Sequence, residues 1–148
     1  MNEVWQDKIP PQDIEAEQAV LGAIFLDSDT LIDAMEIVTP RSFYRRSHQI
    51  IFQSMIQLSN RGEAIDLVTL KAEIEKSNAL EDIGGISYLS ELSQSTPSSA
   101  SVSYYAKIVD DKSLLRQLIQ TANQIVVKSF EQGEEVQAIV DEAERSIL

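Results

Sequence analysis

The sequence predicts an all-α protein, with a compact multi-helix head followed by a long antiparallel helical hairpin. Apolar residues recur at three- and four-residue spacing along most of the chain, which is typical of amphipathic helices. Residues 103–130 contain neither Pro nor Gly, and a turn with Gly133 separates them from a second periodic segment. The β-branched clusters at 37–39 and 125–127 lie at helical spacing with their neighbours, so they do not indicate strands.

The head is predicted to begin after a flexible tail at residues 1–12. Asp13 is a candidate N-cap for the first helix, because its carboxylate can accept a free backbone N–H of the first turn. Glu15 and Glu17 follow in that turn, where acidic side chains suit the helix dipole. Gly22 lies in the middle of this helix, where Gly costs about 1 kcal/mol relative to Ala. We therefore expect another helix to approach closely at Gly22.

Four more helices are predicted in the head. Their apolar stripes are, in order, Leu31, Ile32, Met35 and Val38; Ile51, Met55 and Leu58; Leu70 and Ile74; and Ile86, Leu89 and Leu92. Pro40 is expected to end the first of these helices and Gly62 the second. The segment Asp66-Leu67-Val68-Thr69 offers two capping candidates for the third.

The one marked change of composition is the Ser- and Pro-rich stretch at residues 93–101. We place the boundary between the two parts of the chain there. The predicted organisation is a tail at 1–12, a globular helical head at 13–95, a linker at 96–102 and a hairpin at 103–148.

The hairpin has more apolar surface than its two helices can cover by packing on each other. The long helix carries two stripes, Leu115, Leu118, Ala122 and Ile125 on one and Leu114, Ile119, Val126 and Phe130 on the other. The second helix offers a single stripe: Val136, Ile139, Val140, Ala143 and Ile147. Because one stripe cannot cover two, the remainder must meet either the rest of the chain or another copy, and we expect self-association. The residues predicted to carry it are Leu114, Leu115, Leu118, Ala122, Val126, Ile139 and Ala143.

The charge is strongly acidic and unevenly distributed. The formal net charge is −12, and residues 1–40 contain nine acidic side chains against one lysine. Such a surface repels phosphate backbones, so a basic protein partner is expected rather than nucleic acid. No cysteine is present for a disulfide or thiolate site. The chain shows no leader peptide, and its longest apolar run is far below the ~20 residues that span a bilayer, so we expect a cytoplasmic protein without membrane contact.

No catalytic constellation is found in the sequence. It lacks a Gly-rich loop ending in Gly-Lys-Ser or Gly-Lys-Thr, so no nucleotide site is predicted. His48 is the single histidine and has no companion ligands, which favours a helix-start or packing role over a metal or general-base role. Glu15 and Glu17 are expected on a solvated face. The sequence therefore predicts no catalytic residue, no cofactor and no metal.

Two groups of residues leave alternatives open. The cluster Arg41, Arg45 and Arg46 suits either a module that guides single-stranded nucleic acid or contacts with acidic neighbours, and the net charge favours the second. Tyr88 lies off the stripe of its helix and is either a partner anchor or a half-buried edge residue. Ile119 and Ile125 are likewise either partner contacts or part of a seam within the hairpin or between subunits.

The chain resembles the N-terminal domain of the bacterial replicative DNA helicase, the DnaB family. The matching segments occur in family order, and as an ordered set they are specific although each is short. They are PQDIEAEQAVLG at 11–22, FY at 43–44, HQIIF at 48–52, IDLVTL at 65–70, IGGISYL at 83–89 and YAKIV at 105–109.

The resemblance implies a helical head joined to a hairpin, with hairpins pairing between subunits to form a collar of three dimers in a hexameric ring. It implies that this collar docks the helicase-binding domain of primase and contacts loader proteins. An ATPase domain, absent from this chain, is expected to follow after a linker, so the domain alone is not expected to be an enzyme. Carried onto this sequence, the primase-facing candidates are Glu15, Asp82, Tyr88, Ile119 and Ile125.

Overall fold

The computed structural model describes residues 8–148, and regular structure in that range is helical. The elements are α1 (Ile14–Leu26), α2 (Thr30–Met35), a 3-10 turn (Pro40–Ser42), α3 (Arg46–Asn60), α4 (Leu67–Glu75), α5 (Gly85–Ser93), α6 (Val102–Glu131) and α7 (Val136–Ile147). These described residues include no strand, which confirms the all-α prediction. The predicted tail lies mostly outside them. No helix in the described part is long and apolar enough to cross a membrane.

The structure divides into two compact units. The head unit is Gln12–Lys112, and the hairpin unit comprises the described residues up to Pro11 together with Ser113–Leu148. This division differs from the predicted linker at 96–102. The reason is that Val102, Ala106 and Val109, in the first turns of α6, are buried in the core of the head unit. Thr96 is also buried, and its hydroxyl donates to the Ala19 carbonyl at 3.2 Å.

Helix α1 begins where its cap predicts. The Ala16 N–H donates to Asp13 Oδ1 at 3.0 Å, which confirms Asp13 as the N-cap. The close approach expected at Gly22 also occurs, since a Cβ there would lie 2.5 Å from Ser95 Oγ and 2.9 Å from the Leu92 carbonyl oxygen. The approaching chain is the end of α5 and the loop after it, rather than a helix alone.

The core of the head unit lies between α1, α3, α4 and α5. Helix α1 packs chiefly on α5, and α3 packs on α4. Asp66 caps α4 as predicted, because the Thr69 N–H donates to its Oδ1 at 2.9 Å. The largest fully buried side chains are Leu21, Ile24, Leu31, Phe43, Ile51, Phe52, Met55, Leu58, Leu70, Ile74, Leu89 and Leu92.

Three apolar residues assigned to core stripes are exposed instead. Ile32 and Met35 face solvent because α2 is only six residues long and buries the side on which Leu31 and Ala34 lie. Ile86 is exposed because successive i+3 steps drift by about 60° around a helix. The buried side of α5 is centred between Leu89 and Leu92, which turns Ile86 away from the core.

The hairpin unit contains the rest of α6, a short turn and α7. Gln132, next to Gly133 in this turn, takes a left-handed conformation (φ 54°). Lys128 on α6 donates to Glu142 on α7. Ile125, Ile139 and Ala143 line the same small cavity between the two helices. Helix α7 has no buried residue, so its apolar stripe is covered only in part.

Candidate partner-binding surfaces

The hairpin unit exposes apolar side chains on both of its helices. Leu118 is 54% exposed and Phe130 78%, and both lie on α6. The other large exposed residues are Leu114, Leu115, Ile119, Val127, Val136, Val140, Ile147 and Leu148. Where exposed apolar side chains form a contiguous patch, they mark interaction sites in folded proteins.

An open groove of about 1140 Å³ lies between residues 8–11 and helix α6, within the hairpin unit. Ile9, Leu118, Ile119, Ala122 and Val127 supply its apolar lining. The chain before α1 is held at the groove by a hydrogen bond of 2.7 Å, which Arg116 Nη1 donates to the Pro11 carbonyl. The groove therefore offers a concave apolar surface with charged side chains at its border.

The residues predicted to carry self-association lie in two places, on α6 and in the seam between the two helices of the hairpin. Leu114, Leu115 and Leu118 are exposed on α6, and Ala122 and Val126 on the same helix are half-buried. Ile139 and Ala143 are half-buried in the seam against α6 of their own chain. The outward apolar surface is therefore mainly on α6, where a partner can reach it without opening the hairpin.

A buried carboxylate, a buried imidazole and a tyrosine form one hydrogen-bonded chain in the head unit. Glu17 is 1% exposed and His48 0%. Glu17 Oε1 lies 2.7 Å from His48 Nδ1, and His48 Nε2 lies 2.6 Å from the Tyr88 hydroxyl. The Tyr88 ring and the imidazole are nearly parallel, with centroids 5.9 Å apart and planes at 13°.

Glu17 also ties α1 to the segment that enters α3. Its Oε2 accepts from the Tyr44 N–H at 2.6 Å, and its Oε1 accepts from the Arg45 N–H at 3.4 Å. The expectation of a solvated Glu17 is therefore wrong, because its carboxylate accepts from backbone N–H groups just before α3 and faces the buried His48. The sequence held a signal for this position, since Glu17, Leu21 and Ile24 have the i, i+4, i+7 spacing of one buried side.

His48 has the packing role that its isolation predicts, at the third position of α3. It lies one and two turns before Phe52 and Met55 on the buried side, so periodicity marks it as a core histidine. Among residues 8–148 there is no group of three His, Asp or Glu side chains that could hold a metal ion.

The five primase-facing candidates occupy both units. Glu15 is exposed on α1, one turn before Gln18, whose amide donates to the Tyr88 hydroxyl at 3.2 Å. Glu15 and Tyr88 therefore belong to one region of the head unit. Asp82 is exposed in the turn that leads into α5.

The two hairpin candidates differ in their surroundings. Ile119 lines the open groove, whereas Ile125 is half-buried in the seam with α7. Six residues separate them, which places them about 120° apart around α6. One partner surface would reach Ile119 more readily than Ile125.

The arginine cluster is exposed at the start of α3. Arg41, Arg45 and Arg46 all face solvent, and Arg45 Nη1 lies 3.5 Å from the Tyr88 hydroxyl. Arg46 lines a polar groove that also contains Glu73. The cluster thus stands beside acidic and polar groups of the head unit.

Each unit contains an ion pair that shifts the pKa of an acid. In the head unit, the Arg61 guanidinium lies 2.5 Å from Glu73 Oε1 and lowers the pKa of Glu73. In the hairpin unit, the hydrogen bond from Lys128 lowers the pKa of Glu142, and the carboxylate in turn raises the pKa of Lys128. Both acids therefore favour their charged form more than an isolated glutamate does.

Comparisons with known proteins agree with this architecture. Residues 9–111 match the family model described as "DnaB-like helicase N terminal domain". The chain is 51% identical over all its 148 residues to the replicative DNA helicase DnaB of Geobacillus stearothermophilus, and it spans 33% of that relative.

Two solved structures are similar in fold. The crystal structure of the N-terminal domain of DnaB helicase from Mycobacterium tuberculosis is 39% identical with a TM-score of 0.90, covering 94% of this chain and 98% of that one. A structure described as a DnaB-like replicative helicase and its interactions with primase is 27% identical with a TM-score of 0.70, covering 90% of this chain and 31% of that one. This chain belongs to the family of DnaB-like helicase N-terminal domains.

Proposed function

We propose that this domain is a non-catalytic collar of a hexameric replicative DNA helicase, where it mediates ring assembly and docks primase. The chain spans 33% of the helicase it matches, so we assign unwinding and ATP hydrolysis to the remaining part of such a protein. A helicase loader is a further proposed partner of the collar, and the proposed location is the cytoplasm. The net charge of −12 argues against direct binding of nucleic acid by this domain.

The observation that carries the assembly role is the apolar surface left open on the hairpin unit. Leu115, Leu118 and Ile119 are exposed on α6, and Val136 and Val140 are exposed on α7. Burying such side chains contributes about 1.5–3 kcal/mol each. The same surface is present on every copy, so the symmetric pairing of two hairpins would cover it on both.

The docking role is supported by the head region around Tyr88 and by the similar structure described as a DnaB-like replicative helicase and its interactions with primase. Tyr88 is a half-buried aromatic with a polar end, and Glu15 and Asp82 are exposed acids of the same unit. Aromatic anchors surrounded by polar groups are typical of interface hot spots. The acidic charge suits a partner with a basic surface.

A charge introduced on α6 tests the assembly role. Leu118→Glu, and separately Ala122→Glu, should reduce self-association in sedimentation velocity, because a carboxylate would have to be buried at the interface. Gln117→Glu is the matched control, since it adds the same charge at an exposed neighbouring position on the same helix. Unchanged self-association in both variants would contradict hairpin pairing.

Calorimetric titration with purified primase tests the docking role. Tyr88→Ala should weaken binding by at least about fivefold, the loss expected for an anchor residue. Tyr104→Ala removes an exposed tyrosine on α6 and is the matched control. Helical content by circular dichroism should be unchanged in both variants. A wild-type affinity for Tyr88→Ala would show that Tyr88 is no anchor.

A further inference from the structure

The Tyr88 hydroxyl already has partners within its own domain. It lies 2.6 Å from His48 Nε2, 3.2 Å from Gln18 Nε2 and 3.5 Å from Arg45 Nη1. The amide nitrogen and the guanidinium can only donate, so the hydroxyl oxygen accepts from them and its own proton is directed to His48. The hydroxyl is therefore a link in a chain of hydrogen bonds, rather than a group available to a partner.

The remaining hydrogen bonds of this network determine which group donates in each of them. His48 Nδ1 faces the Glu17 carboxylate, which accepts and does not donate when ionised. With the proton on Nδ1, His48 donates to Glu17 and accepts from Tyr88 through Nε2. The Tyr44 and Arg45 N–H groups complete the shell of the carboxylate. Every polar atom in this buried site then has a partner.

The other end of the Tyr88 side chain is also confined. A Cβ on Gly84 would lie 2.8 Å from Tyr88 Cβ, and Gly84 has a left-handed φ of 104°. The backbone at the start of α5 thus passes directly against the base of the tyrosine side chain. The ring is held at its base by Gly84 and at its tip by three hydrogen bonds, one of which is to the imidazole.

We propose that Glu17 and His48 are positioning residues, which hold the half-buried Tyr88 side chain in one orientation so that it is preorganised for a protein partner. This proposal rests on the proposed docking of primase at Tyr88. His48 is fully buried and cannot touch a partner, so it acts only through the tyrosine. If the ring adopted the binding orientation only part of the time, the apparent dissociation constant would rise by the inverse of that fraction.

Substitutions along the hydrogen-bonded chain test the proposal by calorimetric titration with purified primase. Tyr88→Phe keeps the ring and removes the hydroxyl. His48→Phe keeps an aromatic ring and removes both hydrogen bonds, whereas His48→Gln retains a donor and an acceptor. We expect Tyr88→Phe and His48→Phe to weaken binding about three- to tenfold, with His48→Gln closer to the wild type. Gln18→Ala also touches the hydroxyl but leaves the His48 bond intact, and it should bind nearly as the wild type does.

Nitrogen-15 NMR of His48 supplies a readout that loss of stability alone would not produce. The wild type should show a proton on Nδ1 and an unprotonated Nε2, and Tyr88→Phe should shift the Nε2 resonance because its donor is gone. A proton on Nε2 in the wild type would overturn the proposed hydrogen-bond chain.

The affinities separate failure of this proposal from failure of the docking role. Weakened binding by Tyr88→Ala together with wild-type affinity for Tyr88→Phe would overturn positioning and leave docking intact. Wild-type affinity for Tyr88→Ala would overturn both. If His48→Phe does not fold, Tyr88→Phe and the NMR spectrum still decide, since neither requires a change in the core.

Discussion

The head unit and the hairpin unit use the same helical periodicity with opposite results. In the head unit, α1, α3, α4 and α5 enclose a core in which twelve large side chains are essentially inaccessible. In the hairpin unit, α7 has no buried residue and much of the apolar surface of α6 is exposed. An amphipathic pattern therefore shows that a helix has an apolar side, and the number of neighbouring helices determines whether that side is covered inside the chain.

The polar interactions of the two units also differ in burial. The head unit buries Glu17 and His48 completely and satisfies both with hydrogen bonds. The hairpin unit relies on the partly exposed pair Lys128 and Glu142. Buried networks are costly to disrupt, whereas exposed ion pairs contribute little to stability. We therefore expect the head unit to be rigid by itself and the hairpin unit to depend on a partner.

The largest expected effect comes from truncating a phenylalanine in each unit. Phe52→Ala removes a fully buried ring of the head core and should lower the free energy of unfolding by about 3–5 kcal/mol. Phe130→Ala removes an exposed ring from α6 and should change it by less than about 0.5 kcal/mol. Urea denaturation at low protein concentration, followed by circular dichroism, measures both. Equal losses of unfolding free energy in the two variants would contradict the distinction between a closed head core and an open hairpin surface.

A smaller effect is expected from adding one methyl group in each unit. Gly22→Ala places a Cβ against Ser95 and the Leu92 carbonyl oxygen, and such overpacking should cost about 1–3 kcal/mol. Gly133→Ala meets no atom within 4 Å, and Gly133 does not have a positive φ. It should be neutral or stabilise by about 0.4–1 kcal/mol, because Ala restricts the unfolded chain. Thermal denaturation compares the stability of the two variants. An unchanged stability for Gly22→Ala would mean that Ser95 and the Leu92 carbonyl do not pack tightly against α1.

The smallest effect is a loss of helix at acidic pH, which we expect in the hairpin unit before the head unit. The pKa of Glu142 lies below its ordinary value of 4.5 in the folded protein, because Lys128 hydrogen-bonds to the carboxylate. Its contribution to stability is therefore present above that value and is lost as the pH falls through the lowered pKa. Carbon-13 chemical shifts of α7 should move towards coil values at acidic pH before those of α1.

Glu142→Gln should abolish the earlier loss of helix in α7, relative to α1, at acidic pH. Glu73 in the head unit also has a lowered pKa, but the surrounding core should keep α4 helical over the same range. Simultaneous loss of helix in α1 and α7 would contradict the comparison.

Much of the fold follows from local signals in the sequence. Asp13 and Asp66 cap the helices that they were predicted to cap, and the stripes of α3 and α5 identify Ile51, Met55 and Leu89 as core residues. These features depend on neighbours within a few residues of the chain. Periodicity and capping therefore suffice to locate them.

Features that depend on distant residues could not be predicted in the same way. The Ser- and Pro-rich segment looks like a linker, but Thr96 and Val102 are buried because α1 and the core lie beside them. Glu17 looks solvated because its partners, His48 and the N–H groups before α3, are about thirty residues away in the chain. The site around Tyr88 requires three separate helices, and a single periodic pattern reports on one helix at a time.

The central claim is that the hairpin unit completes its packing with a second copy while the head unit does not. Hydrogen exchange measured by mass spectrometry as a function of protein concentration tests it most directly. Protection of residues 113–147 should rise with concentration, and protection of α1 to α5 should stay constant and high. Hairpin protection that already equals that of the head at the lowest concentration, and does not change with dilution, would contradict the account.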